Sequence, residues 1–169
     1  SFDAKTAATD PSGAPLQALV EALETPDAGL LDALDPLLDR QAFVRFWVAE
    51  MLVGHWDGYA GNTNNFFVYF DADGRARFVP WGVDATFYGN EEVTPVVLTG
   101  ELARRLYGLP EVRAEFAAEL ERQLDLYDED ALVDQVDAMG ALIAPDVQEP
   151  FEVGAAIDEL VAVVETRRA

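Results

Sequence analysis

The sequence predicts a single α+β domain that is mainly helical, and three observations lead to that prediction. Apolar residues recur at helical spacing over most of the chain. One pair of β-favouring segments, residues 66–70 and 75–80, is separated by turn residues. A length of 169 residues suits one domain with a sizeable core. We therefore expect residues 1–169 to form one domain, with residues 1–13 as a flexible lead-in.

Three helices are predicted before residue 54. The first begins near Pro15, because proline suits a first helical turn, and its apolar face is formed by Leu16, Leu19, Val20 and Leu23. The second is short and carries Leu30, Leu31 and Leu34. The third runs from Leu37 to about Val53 and should be the most buried. Gly54 is placed to end it, since glycine adopts a left-handed conformation without a side-chain clash.

A β-hairpin and four more helices are predicted for the remainder. Residues 66–70 and 75–80 are the two strands, and the turn between them contains Asp71, Asp73 and Gly74. A polar loop with Asn90, Glu91 and Glu92 follows. The predicted helices cover residues 98–107, 110–127, 129–143 and 153–167. Asp128 should cap the third of these, and the Ala144-Pro145 pair should end it.

The charge balance restricts the partners. The chain has 11 Lys and Arg against 32 Asp and Glu, a formal net charge of −21. Such a field repels nucleic acids and anionic membranes, so we expect neither as a partner. No apolar run approaches the roughly 18 residues that a membrane span needs. The absence of cysteine excludes a disulfide framework and a thiolate metal site.

Residues 54–65 join the most buried helix to the first strand, and they are too polar to be core. They contain Asp57, three asparagines and the only histidine, His55. A second aspartate, Asp84, follows the hairpin in an apolar setting. Phosphoryl transfer requires two separated aspartates and an asparagine. One aspartate orients the attacking hydroxyl, while the asparagine and the second aspartate hold Mg²⁺ on the nucleotide phosphates.

The hairpin should bring two of these residues together. Asn65 precedes its first strand and Asp84 follows its second, so the two side chains converge if the hairpin folds back on itself. Mg²⁺ prefers oxygen ligands and is normally completed by water and substrate phosphates. We therefore expect this pair to bind Mg²⁺, or Mn²⁺, weakly alone and tightly with nucleotide.

The order of these segments is that of the catalytic half of a protein-kinase C-lobe: helix, His-x-Asp loop with a later asparagine, strand, turn, strand and aspartate. More specifically, three segments resemble the signature blocks of the CotH family of spore-coat and secreted atypical kinases: residues 54–59, 64–69 and 78–84. The resemblance continues in three C-terminal segments: residues 110–116, 136–143 and 165–168. It covers the chain from about Leu38 to Ala169.

The resemblance implies a kinase-like domain that transfers the γ-phosphate of ATP to serine-containing protein substrates. It implies Asp57 as the catalytic base and Asp84 as a metal ligand and cofactor-binding residue. A location outside the cell, or on the cell or spore surface, is implied as well. No glycine-rich loop is visible and the only lysine is Lys5. We therefore expect the N-lobe to lie upstream and this chain alone to be inactive.

The choice of metal-binding asparagine stays open between two candidates. Asn62 has the five-residue offset from Asp57 of the common kinase motif, whereas Asn65 directly precedes the strand. We prefer Asn65, and assign Asn62 and Asn64 to turn formation or nucleotide contacts. His55 is expected to shape the loop by packing or hydrogen bonding.

Two other functions are considered. A kinase-fold pseudoenzyme that acts as a surface or coat interaction module is suggested by Gly82, because the family commonly has Asp-x-Asp after Pro-Trp. A calcium-stabilised extracellular domain is suggested by Asp71, Asp73 and the total acidity.

Overall fold

The structure is a computed structural model that describes residues 13–87, 96–146 and 150–167. Helices dominate these ranges, and they are α1 Ala14–Ala22, α2 Asp27–Leu34, α3 Arg40–Leu52, α4 Tyr59–Asn62, α5 Glu101–Tyr107, α6 Pro110–Leu126, α7 Glu129–Ile143 and α8 Pro150–Thr166. The strands are β1 Phe66–Phe70 and β2 Ala76–Pro80, and 3-10 turns cover Val83–Ala85 and Ala144–Asp146. The prediction of a mainly helical α+β fold is confirmed, while the kinase-like C-lobe architecture stays a prediction.

Helix α3 is the centre of the core. It packs against α6 on one side and β2 on the other, and its buried apolar residues are Phe43, Val44, Phe46, Trp47 and Val48. Asp39 caps the helix by accepting a hydrogen bond from the Ala42 amide at 3.0 Å. The predicted start at Leu37 is wrong. The Leu37 carbonyl and the Asp39 amide both bond to the backbone of Ala76 in β2, which holds this segment beside the strand.

Other boundaries also differ from the predictions. Val20 is 53% exposed, so its place on the inner face of α1 was wrong, and Leu19 and Ala22 are the buried residues. Helix α5 begins at Glu101 rather than at residue 98, because Gly100 has an extended backbone. Helix α8 begins at Pro150 rather than at residue 153.

The predicted cap of α7 is confirmed, since Asp128 accepts from the Ala131 amide at 3.0 Å. The predicted lead-in is residues 1–13, and the predicted polar loop contains Asn90, Glu91 and Glu92. Both lie outside the described residues, apart from Gly13.

The hairpin pairs β1 with β2 in antiparallel register, with Phe66 opposite Pro80. Strand β2 begins one residue later than predicted, because Asp71 uses one carboxylate oxygen to accept from the amides of Asp73 and Arg75 in the turn. The inner face carries Phe78, whose ring lies 4.9 Å from that of Phe43 and 5.1 Å from that of Tyr59 between centroids. These contacts fix the hairpin, and thus the residues at its open end, to the core.

None of the helices in the described part of the chain combines the length and the apolar character that a membrane span requires.

Replacement of Trp47 by alanine should lower the free energy of unfolding by about 3–5 kcal/mol, because its side chain is fully buried. Urea denaturation followed by circular dichroism measures the loss. Val20→Ala is the control, and its exposed position should cost under about 0.5 kcal/mol. A loss below about 1 kcal/mol for Trp47→Ala would mean that α3 is not the centre of the core.

Candidate functional site

The loop that follows α3 begins with a change of backbone direction at Gly54. Its φ of 60° is left-handed, as predicted for the residue that ends this helix. The guanidinium of Arg167, a buried residue just after α8, lies against it. A Cβ built on Gly54 would collide with an Nη atom of Arg167. The C-terminal end of the described chain therefore lies against the start of the loop.

A buried carboxylate organises the inner side of the loop. Glu50, in the last turn of α3, is 4% exposed. Its Oε1 and Oε2 accept hydrogen bonds from the amides of Tyr59 at 3.1 Å and Ala60 at 3.0 Å. Burial raises the pKa of Glu50, while these two hydrogen bonds and the nearby His55 act in the opposite direction. The carboxylate thus fixes the first turn of α4.

Sequence reasoning missed Glu50. A signal was present, because residue 50 follows Phe43, Phe46 and Trp47 at helical spacing and therefore belongs to the buried face of α3. A carboxylate on such a face needs hydrogen-bond donors supplied by the surrounding chain.

His55 connects the loop to the segment after the hairpin. The side chain is buried, with Nδ1 3.5 Å from Glu50 Oε1 and Nε2 3.1 Å from the Gly82 carbonyl oxygen. Since a carbonyl oxygen only accepts hydrogen bonds, Nε2 carries a hydrogen and donates the hydrogen bond to Gly82. This position agrees with the expectation that His55 shapes the loop.

Asp57 is the acceptor at the centre of the outer side of the loop. Oδ1 accepts from Asn62 Nδ2 at 2.8 Å, and Oδ2 accepts from Asn65 Nδ2 at 2.6 Å. Asn64 Nδ2 is shared between the two oxygens at 3.4 and 3.2 Å. The structure therefore brings four of the polar residues singled out in the sequence into one hydrogen-bonded group.

Asn65, rather than Asn62, lies beside the segment that leads to Asp84. The Asn65 carbonyl accepts from the Trp81 amide at 3.0 Å, which continues the hairpin ladder by one step. A Cβ built on Gly82 would lie 2.8 Å from the Asn65 side chain. Asp84 is exposed in the 3-10 turn two residues later, and its carboxylate makes no hydrogen bond to the other described residues. The Asp84 segment thus adjoins Asn65 at Gly82, while the Asp84 carboxylate is not part of the hydrogen-bonded Asp57 group.

The oxygen atoms of Asn65 and Asp84 suit a hard cation whose remaining coordination positions are filled by other ligands. In the described part of the chain, no three His, Cys, Asp or Glu side chains cluster as a metal site. Asn65 Nδ2 donates a hydrogen bond to Asp57, so it is the Oδ1 atom of Asn65 that could bind a cation. An amide oxygen from Asn65 and a carboxylate from Asp84 are oxygen ligands of the kind that Mg²⁺ prefers, with phosphates and water in the other positions.

Comparison with known families gives one match. The sequence model described as CotH kinase protein matches residues 2–166, which is nearly the whole chain. The chain belongs to the CotH family. A comparison with curated proteins found no match. Family membership confirms the resemblance drawn from the separate segments and extends it towards the N-terminus. It indicates a kinase-like domain, and with it ATP, a divalent metal ion and protein substrates in general terms.

A second residue that sequence reasoning missed ties this CotH domain together. The Tyr59 hydroxyl accepts hydrogen bonds from the amides of Leu102 at 3.1 Å and Ala103 at 3.4 Å, at the start of α5. Burial raises the pKa of Tyr59 to about 12, so the phenol stays protonated at neutral pH. Nothing in the local sequence pointed to this contact, because its partners are more than 40 residues away.

Gly82, where the CotH pattern commonly has an aspartate, has a physical reason to lack a side chain here. Its φ is 60° and its space is taken by Asn65. Gly82→Ala should therefore lose more stability than Gly74→Ala, the matched control, which has a φ of 79° and open space. Each substitution should lower the free energy of unfolding by about 1–2 kcal/mol, because alanine must adopt a left-handed conformation. Only Gly82→Ala must also displace Asn65. Equal losses in urea denaturation would contradict the contact.

Proposed function

We propose that the protein is the catalytic part of an ATP-dependent kinase that phosphorylates serine hydroxyls of protein substrates. The observation that carries the proposal is the Asp57 carboxylate, held by three asparagine amides beside the segment of Asp84, in a chain that belongs to the CotH family. A partly exposed carboxylate for the acceptor hydroxyl and a neighbouring pair of oxygen ligands are the parts that phosphoryl transfer needs.

Asp57 acts mainly by orienting the acceptor hydroxyl, because the loose transition state of phosphoryl transfer asks for little base strength. A carboxylate has about four acceptor positions, and the three asparagines make four contacts with this one. Asn64 makes the two longest, at 3.4 and 3.2 Å. The serine hydroxyl would therefore take the place of Asn64, while Asn62 and Asn65 keep the carboxylate in position.

Asn65 and Asp84 would hold the divalent cation, Mg²⁺ or Mn²⁺. The bound cation supplies positive charge next to the nucleotide phosphates. Asn65 has two roles in this proposal, since its Nδ2 fixes Asp57 and its Oδ1 would bind the cation. Asn62 donates to the other carboxylate oxygen of Asp57 and contributes to nucleotide binding. A secreted or surface location is proposed on membership of the CotH family alone.

A pseudoenzyme is the second candidate, and Gly82 is the observation that favours it. With glycine at this position the second carboxylate of the CotH pattern is missing next to Asn65. Such a protein would bind nucleotide weakly and present the domain as an interaction module. Incubation of the longest natural chain that contains this sequence with Mg²⁺, γ-³²P-labelled ATP and a serine-rich protein separates the two candidates, because only the kinase transfers label to the protein.

Asp57→Asn should abolish phosphate incorporation and leave the fold intact, since the change is isosteric and the residue is only partly buried. Label transfer by the longest natural chain that contains this sequence measures the effect. Asp73→Asn, in the hairpin turn, makes the same chemical change away from the site and should retain activity. Transfer by Asp57→Asn at the wild-type rate would refute the role of Asp57.

Asn65→Ala and Asp84→Ala should each weaken Mg²⁺-dependent ATP binding by at least about tenfold, since loss of a metal contact costs that much or more. Calorimetric titration with and without Mg²⁺ measures the affinity. Asn62→Ala is the comparison and should change the Mg²⁺-dependent part by less than about threefold. A larger effect for Asn62→Ala than for Asn65→Ala would assign the metal to Asn62.

A further inference from the structure

Glu50, His55 and Gly82 form a continuous polar connection through the apolar interior. It begins on α3 at the Glu50 carboxylate, passes the His55 ring at 3.5 Å and ends at the Gly82 carbonyl at 3.1 Å. Glu50 and His55 are each 4% exposed. Neither is hydrogen-bonded to the Asp57 carboxylate, whose side-chain partners are asparagines, so the proposed reaction makes no direct use of them.

This connection spans the two halves of the candidate site. Glu50 fixes the amides of Tyr59 and Ala60, so it sets the position of α4, whose last residue, Asn62, holds Asp57. His55 fixes Gly82, which leads into the turn that carries Asp84. The buried Glu50 carboxylate therefore positions both the Asp57 loop and, through His55, the Asp84 segment.

The loop backbone at Gly58 packs closely against the Glu50 carboxylate and the His55 ring. A Cβ built on Gly58 would lie 2.5 Å from Glu50 Oε1 and 2.6 Å from His55 Nδ1. Real Cβ contacts do not come this close, so the loop chain passes directly over the pair. A change in the position of the pair must move the loop.

We infer that Glu50 is a positioning residue that sets the Asp57 loop relative to the Asp84 segment through His55 and the Gly82 carbonyl. The connection itself is a statement about the folded protein, and its effect on phosphate transfer rests on the proposed function. Two measurements separate these parts.

Glu50→Gln is the informative change, because it keeps the shape of the side chain and replaces one hydrogen-bond acceptor, a carboxylate oxygen, by a donor, the NH₂ group. Both oxygens of Glu50 accept from backbone amides. Glutamine has one oxygen, so its NH₂ group must face an amide donor, and one hydrogen bond is lost. Glu115→Gln is the matched control, since Glu115 pairs with Arg40 in a partly exposed ion pair between α3 and α6.

The first measurement needs no activity. His55 is the only histidine, so its ring nitrogens give a single set of signals in ¹⁵N NMR. Wild type should show the proton on Nε2. Glu50→Gln should shift the ring signals and the amide signals of Gly82 and Asp84, and should speed hydrogen exchange at Tyr59 and Ala60. Glu115→Gln should change none of these. Unchanged Gly82 and Asp84 signals in a folded Glu50→Gln protein would overturn the inference.

Two histidine variants keep the test valid if Glu50→Gln does not fold. The amide nitrogen of glutamine can stand near the place of Nε2, whereas that of asparagine stands near Nδ1. His55→Gln should therefore retain a donor to Gly82 and keep the wild-type Gly82 signals. His55→Asn should lose this hydrogen bond and shift the Gly82 signals. The opposite ranking would overturn the inference.

The second measurement is transfer kinetics. Misplacement of a reacting group by about 1 Å can cost up to about 10²-fold in rate. We expect Glu50→Gln to lower kcat about 10- to 100-fold with the KM for ATP within about twofold. His55→Asn should lower it similarly, and the double variant should be no worse than either, because both act through one connection. Additive losses would overturn the connection. If the longest natural chain that contains this sequence is inactive while the predicted NMR changes are seen, the proposed function is refuted and the connection is supported.

Discussion

The structure depends on satisfying a carboxylate that lies inside an aromatic core. Glu50 projects from the same buried face of α3 as Phe43 and Trp47, where an unpaired charge or polar group is costly. The chain meets this requirement by turning back at Gly54 and bringing two backbone amides of α4 onto the carboxylate. The shape of the loop is therefore a consequence of what α3 buries.

A second carboxylate repeats the arrangement on the outer side with different donors. The inner carboxylate of Glu50 accepts from backbone amides, which cannot move without unwinding α4. The outer carboxylate of Asp57 accepts from the side-chain amides of three asparagines, which can rotate. The inner group thus provides rigidity and the outer group can exchange a partner. An acceptor group that must admit a substrate hydroxyl benefits from the second arrangement.

The features that the sequence predicted well are those with local causes. Gly54 ends α3 through its own backbone preference, Asp128 caps α7 through a bond to a residue three positions on, and the hairpin follows from strand and turn composition. The features that were missed arise from distant contacts. Leu37 is kept out of α3 by Ala76, and Tyr59 meets α5 more than 40 residues away. No window of neighbouring residues contains that information.

The two asparagine candidates illustrate the same difference between spacing and topology. A fixed offset from Asp57 selects Asn62, but the residues between Asp57 and the strand include the short helix α4, which absorbs added length. The register of a hairpin does not depend on that length. The residue before β1 must lie beside the residue after β2, and so Asn65 pairs with Trp81 next to Gly82 whatever the loop contains. A ligand that must meet Asp84 is therefore better placed by the strand than by the motif spacing.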